Sequence, residues 1–162
     1  IVSPPGAGKT TLLRDIIRNL SNGTEELTGK NIGVVDERGE IAAMYKGIPQ
    51  NDLGIRTDII EIIKKSVGMK MLIRSMAPEI IVADEIGSKE DVQEINYAVC
   101  SGIKGIFTAH GNSLEDLKLN PAIAELIEKN IFERLIFLDK NNKGKVNKIY
   151  ALDKINKEYK KI

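Results

Sequence analysis

The first thirteen residues constrain this chain most, because they read Ile-Val-Ser-Pro-Pro-Gly-Ala-Gly-Lys-Thr-Thr-Leu-Leu. A phosphate-binding loop follows the pattern Gly-x-x-x-x-Gly-Lys-Ser/Thr, which these residues match except that Ser3 replaces the first glycine. The glycines let successive backbone N–H groups turn toward a phosphate, and the helix that follows adds its positive end. We expect Lys9 to bind the β- and γ-phosphates and Thr10 to bind Mg²⁺. The predicted nucleotide-binding residues of this loop are Pro4, Pro5, Gly6, Ala7, Gly8, Lys9, Thr10 and Thr11.

Composition limits the classes of partner. The net charge of +1, the absence of Trp and an aromatic content of 4% argue against a nucleic-acid-binding protein, which needs a basic surface or stacking side chains. No apolar run approaches the roughly 20 residues of a membrane-spanning helix, so we expect no direct membrane insertion. The single cysteine, Cys100, fits a reducing compartment and is expected to be buried.

Helical and extended patterns alternate along the chain, which predicts an α/β fold with a mostly parallel sheet flanked by helices. The pattern predicts a P-loop domain over residues 1–152 that ends in a β-hairpin, and a Lys-rich, frayed tail over 153–162. Only two residues precede the loop and there is no initiator Met, so we expect a fragment of a longer protein. Helices are predicted over 10–20, 37–43, 58–76, 88–100, 113–117 and 121–128, and strands over 31–36, 79–84, 104–109, 132–138 and 146–152.

A second motif, Ile-Ile-Val-Ala-Asp-Glu, ends at Glu85 and has the Walker B pattern of a buried strand followed by carboxylates. We expect Asp84 to hold Mg²⁺, usually through water, and Glu85 to orient or deprotonate the attacking water. Ligands of parallel α/β sheets lie beyond the carboxyl ends of the strands, and both motifs fall at such ends.

Two more strand ends carry polar side chains. Thr108 and His110 follow the strand after Walker B, and one of them is expected to act at the nucleotide site. Glu37 and Arg38 follow an earlier strand. Glu37 is a second candidate for the catalytic carboxylate. Arg38 could pair with Glu37 or reach a γ-phosphate. The alternative for both residues is a salt bridge that only stabilises the loop.

Hydrolysis by P-loop enzymes gains from an arginine near the γ-phosphate, often supplied by a neighbouring subunit. Arg56 lies in a loop before a predicted helix, from which it could project, and Arg74 lies near a helix end. The sequence does not choose between them.

The four motifs, in this order, resemble those of the secretion ATPase superfamily, which includes type II and type IV secretion and type IV pilus motors. The superfamily has a P-loop, an acidic box, a Walker B motif and a histidine box, matched here by residues 6–11, 36–38, 80–85 and 108–110. Four longer segments resemble one branch, the stage III sporulation AA proteins of endospore-forming bacteria. These segments are residues 9–15, 36–42, 71–76 and 84–87.

This resemblance implies a RecA-like core that hydrolyses ATP with Mg²⁺ and assembles as a ring, expected to be a hexamer. It also implies a peripheral, cytoplasmic position at the base of a channel between mother cell and forespore, in contact with the channel's membrane proteins. Two alternatives stay open: a RecA- or AAA-like ATPase acting on nucleic acid, and a structural platform that binds ATP with little turnover. Intact Lys9, Thr10, Asp84 and Glu85 argue against an inactive site.

Overall fold

The computed structural model describes residues 1–162 as nine strands and five helices. No helix combines the length and hydropathy that crossing a bilayer requires, the longest having 14 residues. In chain order, the elements are β1 (Val2–Ser3), α1 (Lys9–Asn22), β2 (Ile32–Asp36), β3 (Thr57–Glu61), α2 (Lys65–Ser75), β4 (Ile80–Ala83), α3 (Lys89–Cys100), β5 (Lys104–Phe107), β6 (Ala109–His110), α4 (Leu114–Lys118), α5 (Pro121–Glu128), β7 (Arg134–Leu138), β8 (Val146–Asp153) and β9 (Glu158–Lys161).

Two sheets meet at Thr108. One sheet has the order β3-β2-β4-β5 and is fully parallel, and the other has the order β6-β1-β7-β8-β9. Thr108 alone separates β5 from β6, so one run of chain pairs with β4 on one side and then with β1 on the other. β1 leads into the P-loop, β4 leads into the Walker B carboxylates, and the run β5–β6 ends at His110. These strands are neighbours, so the three motifs lie at the same edge of the sheets.

The core lies on both faces of the sheets. Successive residues of a strand point to opposite faces, and accordingly Val34 packs in one buried cluster and Val35 in another. The Val34 cluster contains Leu13 and Ile17 of α1. The Val35 cluster contains apolar side chains of α2, α3 and α5. This three-layer arrangement confirms the predicted α/β class, and β7 and β8 form the predicted antiparallel hairpin.

Two predicted helices are wrong. The segment from Asp58 begins as β3, which pairs in parallel with β2, and α2 starts only at Lys65. The isoleucines at 59, 60, 62 and 63 satisfy both helical and strand spacing, and pairing with β2 decides between them. Residues 37–43 form a loop because the Asp36 carboxylate accepts the backbone N–H groups of residues 40, 41 and 42. Cys100 is exposed rather than buried.

The C-terminal segment is not frayed. Residues 158–161 form β9, which pairs antiparallel with β8. Tyr159 anchors this strand, because its hydroxyl donates a hydrogen bond to the Phe132 carbonyl at 2.8 Å. Burial of the side chain raises the pKa of Tyr159 to about 12. The basic tail is therefore part of the second sheet.

Tyr159→Phe is expected to lower the free energy of unfolding by about 1 kcal/mol, since one partly buried hydrogen bond is lost. Burial disfavours the phenolate, so the stabilisation is present below the ordinary tyrosine pKa and is lost as pH rises toward about 12. Urea unfolding at pH 7 measures the effect, with the exposed Tyr45→Phe as control. Equal stability of the two variants would contradict the docking of β9 through this bond.

Candidate nucleotide-binding site

The motifs meet at a polar cleft of about 450 Å³ at the carboxyl ends of the strands. A larger, mostly apolar cavity of about 850 Å³ runs along the whole of β5 and the first residues of β7, and neither the phosphate-loop residues 4–11 nor the Walker B carboxylates line it. The polar cleft is therefore the candidate site. Its lining residues are Pro5, Gly6, Gly8, Lys9, Thr10, Thr11, Glu40, Glu85, His110, Lys143 and Gly144.

Lys9 is a buried cation at the start of α1. Gly8 takes a left-handed conformation (φ 93°), which turns the chain from the loop into the helix. Lys9 Nζ donates to the carbonyl oxygens of Ser3 at 3.2 Å and Pro4 at 3.5 Å, and lies 3.2 Å from Nδ1 of His110. Burial lowers the pKa of Lys9, while the charges of the nearby carboxylates oppose that shift. α1 has no side-chain cap, so its first N–H groups lack a side-chain acceptor, as an anion site requires.

Thr10 and Asp84 lie together, as a Mg²⁺ site would need. Thr10 Oγ1 donates to Asp84 Oδ2 at 3.1 Å, and the Thr108 hydroxyl donates to the other carboxylate oxygen. No group of three or more His, Cys, Asp or Glu side chains could hold a metal by itself. One hydroxyl and one carboxylate fit Mg²⁺, which is commonly bound by few protein ligands together with water and substrate phosphates.

Glu85 is held in place through both its backbone and its side chain. Its backbone has φ 51°, a left-handed conformation that costs a non-glycine residue roughly 1–3 kcal/mol. Its N–H donates to Thr108 Oγ1 at 2.8 Å and to Asp84 Oδ1 at 3.1 Å. Its carboxylate contacts His110 Nε2 at 2.9 Å and the guanidinium of Arg38 at 2.5 Å. Burial alone would raise the pKa of Glu85, but the charges of His110 and Arg38 outweigh it and lower that pKa.

The predicted site residues do not all line the cleft. Thr108 is fully buried behind the two Walker B carboxylates, where it bonds to both residues instead of forming the cleft wall. Glu37 bonds to Lys65 at the start of α2 and is absent from the lining, whereas Arg38 reaches Glu85 and its neighbour Glu40. Of the two acidic-loop candidates, only Arg38 joins the Walker B group.

Asp36 organises the acidic loop from beneath. Its buried carboxylate accepts the N–H groups of Glu40, Ile41 and Ala42 at 2.8–2.9 Å. These bonds close the turn that places Glu40 in the cleft wall and brings Arg38 to Glu85.

Asp36→Asn is expected to lower the free energy of unfolding by about 1–3 kcal/mol, because an amide NH₂ must face a backbone donor that the carboxylate now satisfies. Denaturant unfolding measures the effect. The exposed Asp58→Asn is the matched control, expected within about 0.5 kcal/mol of the unmodified chain. If both variants were equally stable, the three bonds to Asp36 would not hold the loop.

Sequence reasoning missed three lining residues, namely Glu40, Lys143 and Gly144. Lys143 and Gly144 lie in the turn between β7 and β8, far from the P-loop in sequence. The sequence predicts the β7–β8 hairpin, but the position of that hairpin beside the phosphate loop depends on the pairing of β7 with β1.

The two candidate arginines differ in their contacts. The Arg56 guanidinium donates to the carbonyl oxygens of Ser21 and Asn22 at the end of α1, so it ties two segments of this chain together. Arg74 is exposed in the last turn of α2. The structure therefore gives Arg56 a role within its own chain.

The family model of sporulation stage III, protein AA matches residues 1–156. The chain belongs to this family. The AA-family chain is 42% identical over 154 residues to stage III sporulation protein AA of Bacillus subtilis (strain 168), an alignment that covers 94% of the chain and 50% of the relative. The chain thus spans about half the length of this curated relative. These matches confirm the resemblance drawn from the sequence motifs.

Solved structures confirm the fold of this AA-family chain. The Legionella pneumophila ATPase DotB superposes with a TM-score of 0.67 at 14% identity, over 95% of the chain and 46% of DotB. The VirB11 ATPase from the Brucella suis type IV secretion system, solved in complex with sulphate, gives a TM-score of 0.62 at 14% identity, over 93% of the chain and 46% of VirB11. The chain therefore has the secretion ATPase fold.

Proposed function

We propose that this AA-family chain is the Mg²⁺-dependent ATPase domain of a secretion-type motor. The observation that carries the proposal is the convergence of Lys9, Thr10, Glu85 and His110 on one polar cleft at the carboxyl edge of the sheet, with Asp84 bonded to Thr10. Family membership and the fold of DotB and VirB11 support it.

The chain's residues take the following roles in this proposal. The backbone of the phosphate loop and Lys9 bind the phosphates, and the Thr10 hydroxyl and the Asp84 carboxylate would hold Mg²⁺, which neutralises phosphate charge when bound. Glu85 orients the attacking water and accepts its proton. His110 and Arg38 position the Glu85 carboxylate from either side. Thr108 positions both carboxylates, and Glu37 remains the second candidate base.

Assembly and location are also part of the proposal. The whole protein forms a hexameric ring at the cytoplasmic base of a sporulation channel between mother cell and forespore, where it contacts the channel's membrane proteins. Arg74 is the candidate to reach a neighbouring subunit's γ-phosphate. Family membership supports this placement.

The test is the steady-state ATPase rate of the full-length protein across a range of protein concentrations, with Mg²⁺ present. Turnover that rises cooperatively with concentration supports a ring whose sites are completed by neighbours. Tight ATP binding without turnover in any assembly state would favour the nucleotide-gated platform. Stimulation by added DNA would favour the nucleic-acid-dependent alternative.

A further inference from the structure

The turn between β7 and β8, residues 139–145 and here called the hairpin tip, lies directly against the phosphate loop. The Gly144 N–H donates to the Ala7 carbonyl at 2.8 Å. A Cβ atom placed on Gly8 would lie 2.9 Å from Gly144 N and 3.2 Å from Gly144 Cα. Gly8 and Gly144 both have positive φ, so glycine allows the turn at each position and lets the two backbones touch.

The hairpin tip is held in shape by its own bonds. The Asp139 carboxylate accepts the N–H groups of Asn141 at 2.7 Å and Asn142 at 3.2 Å, and the Asn142 side-chain amide at 3.2 Å. The Asp139 N–H donates to the Lys145 carbonyl at 2.7 Å, which closes the turn. These bonds fix the backbone of the turn that carries Lys143, a cleft-lining residue.

Lys143 brings a second cation to the cleft. Lys9 and Lys143 are the two lysines among the cleft-lining residues, which include no arginine. Lys9 belongs to α1 and Lys143 to the hairpin tip. Lys9 lies beside His110, at the Glu85 end. The hairpin tip meets the loop at Ala7 and Gly8. In the proposed nucleotide site, backbone N–H groups of this loop would bind the α- and β-phosphates.

We propose that Lys143 is a nucleotide-binding residue that contacts the α/β-diphosphate shared by ADP and ATP. The C-terminal hairpin is then part of the nucleotide site, although Lys143 lies more than 130 residues beyond the P-loop. This inference rests on the proposed nucleotide-binding function.

The test compares dissociation constants of Mg²⁺-ADP and of Mg²⁺ with a non-hydrolysable ATP analogue, measured by displacement of a fluorescent nucleotide. Lys143→Ala is expected to weaken both ligands by the same factor of about ten, corresponding to the loss of one charge-assisted contact. Lys143→Arg keeps the cation and is expected to restore most of the affinity. Lys140→Ala removes the same charge from the same turn, but Lys140 does not line the cleft, so its effect should stay within about twofold.

Three results would overturn the proposal: unchanged affinity in Lys143→Ala, an equal loss in Lys140→Ala, or a loss confined to the ATP analogue. The Lys9→Ala variant separates this failure from that of the proposed function. If Lys9→Ala loses affinity while Lys143→Ala keeps it, only the role of the hairpin tip is wrong. If Lys9→Ala also binds normally, the cleft is not the nucleotide site.

Discussion

Lys9→Ala is expected to weaken binding of Mg²⁺-ATP by about 10- to 100-fold. The substitution removes the buried cation that the phosphate loop presents at its junction with α1. A hydrogen bond to a charged group contributes about 1.5–3 kcal/mol, and each 1.4 kcal/mol is a tenfold change in affinity. Isothermal titration calorimetry with ATP and Mg²⁺ measures the loss directly.

Lys9 also satisfies the backbone of the loop, since its Nζ donates to the carbonyl of the buried residue Ser3. Urea unfolding of Lys9→Ala must therefore accompany the binding measurement, so that a folding defect is recognised. Arg18→Ala is the control, because Arg18 lies on the same helix but is exposed and pairs only with Asp15. Unchanged affinity in a folded Lys9→Ala variant would overturn the P-loop assignment.

The motifs at the strand ends could be located from the sequence because each is a contiguous signal. The phosphate loop and the Walker B carboxylates are read from neighbouring residues, and parallel strands bring their carboxyl ends to one edge. His110 could be placed at the site for the same reason, because it follows the strand next to β4. Its bond to Glu85 then follows from the strand order.

The parts that the sequence does not predict depend on contacts between distant segments. Glu37 looks as suitable a catalytic carboxylate as Glu85 until its pairing with Lys65 is known. Residues 57–61 fit a helical pattern in the sequence, and only their pairing with β2 identifies them as a strand. In the sequence, nothing distinguishes Lys143 from the other lysines. Only the pairing of β7 with β1, which brings the hairpin to the phosphate loop, identifies it as a cleft residue. In each case the deciding interaction joins residues more than 20 positions apart.

Glu85→Gln is expected to lower ATP turnover by about 10²- to 10⁴-fold while leaving Mg²⁺-ATP affinity nearly unchanged, since general base catalysis contributes about that much. The amide keeps the shape of the side chain but cannot accept the proton of the attacking water. Steady-state phosphate release by the full-length protein, together with a binding titration, separates turnover from affinity. Because the pKa of Glu85 is lowered, the acid limb of the wild-type pH–rate profile should lie below the ordinary glutamate value.

Two other carboxylates provide the controls for this variant. Glu37→Gln changes a carboxylate that bonds to Lys65 and does not line the cleft, so a small effect on turnover is expected. Glu40→Gln changes a carboxylate that lines the cleft and pairs with Arg38, so it tests whether any negative charge at this edge is enough. If Glu85→Gln turned over near the unmodified rate while Glu37→Gln did not, the base would be Glu37, and the acidic loop would have to release it from Lys65 during the cycle.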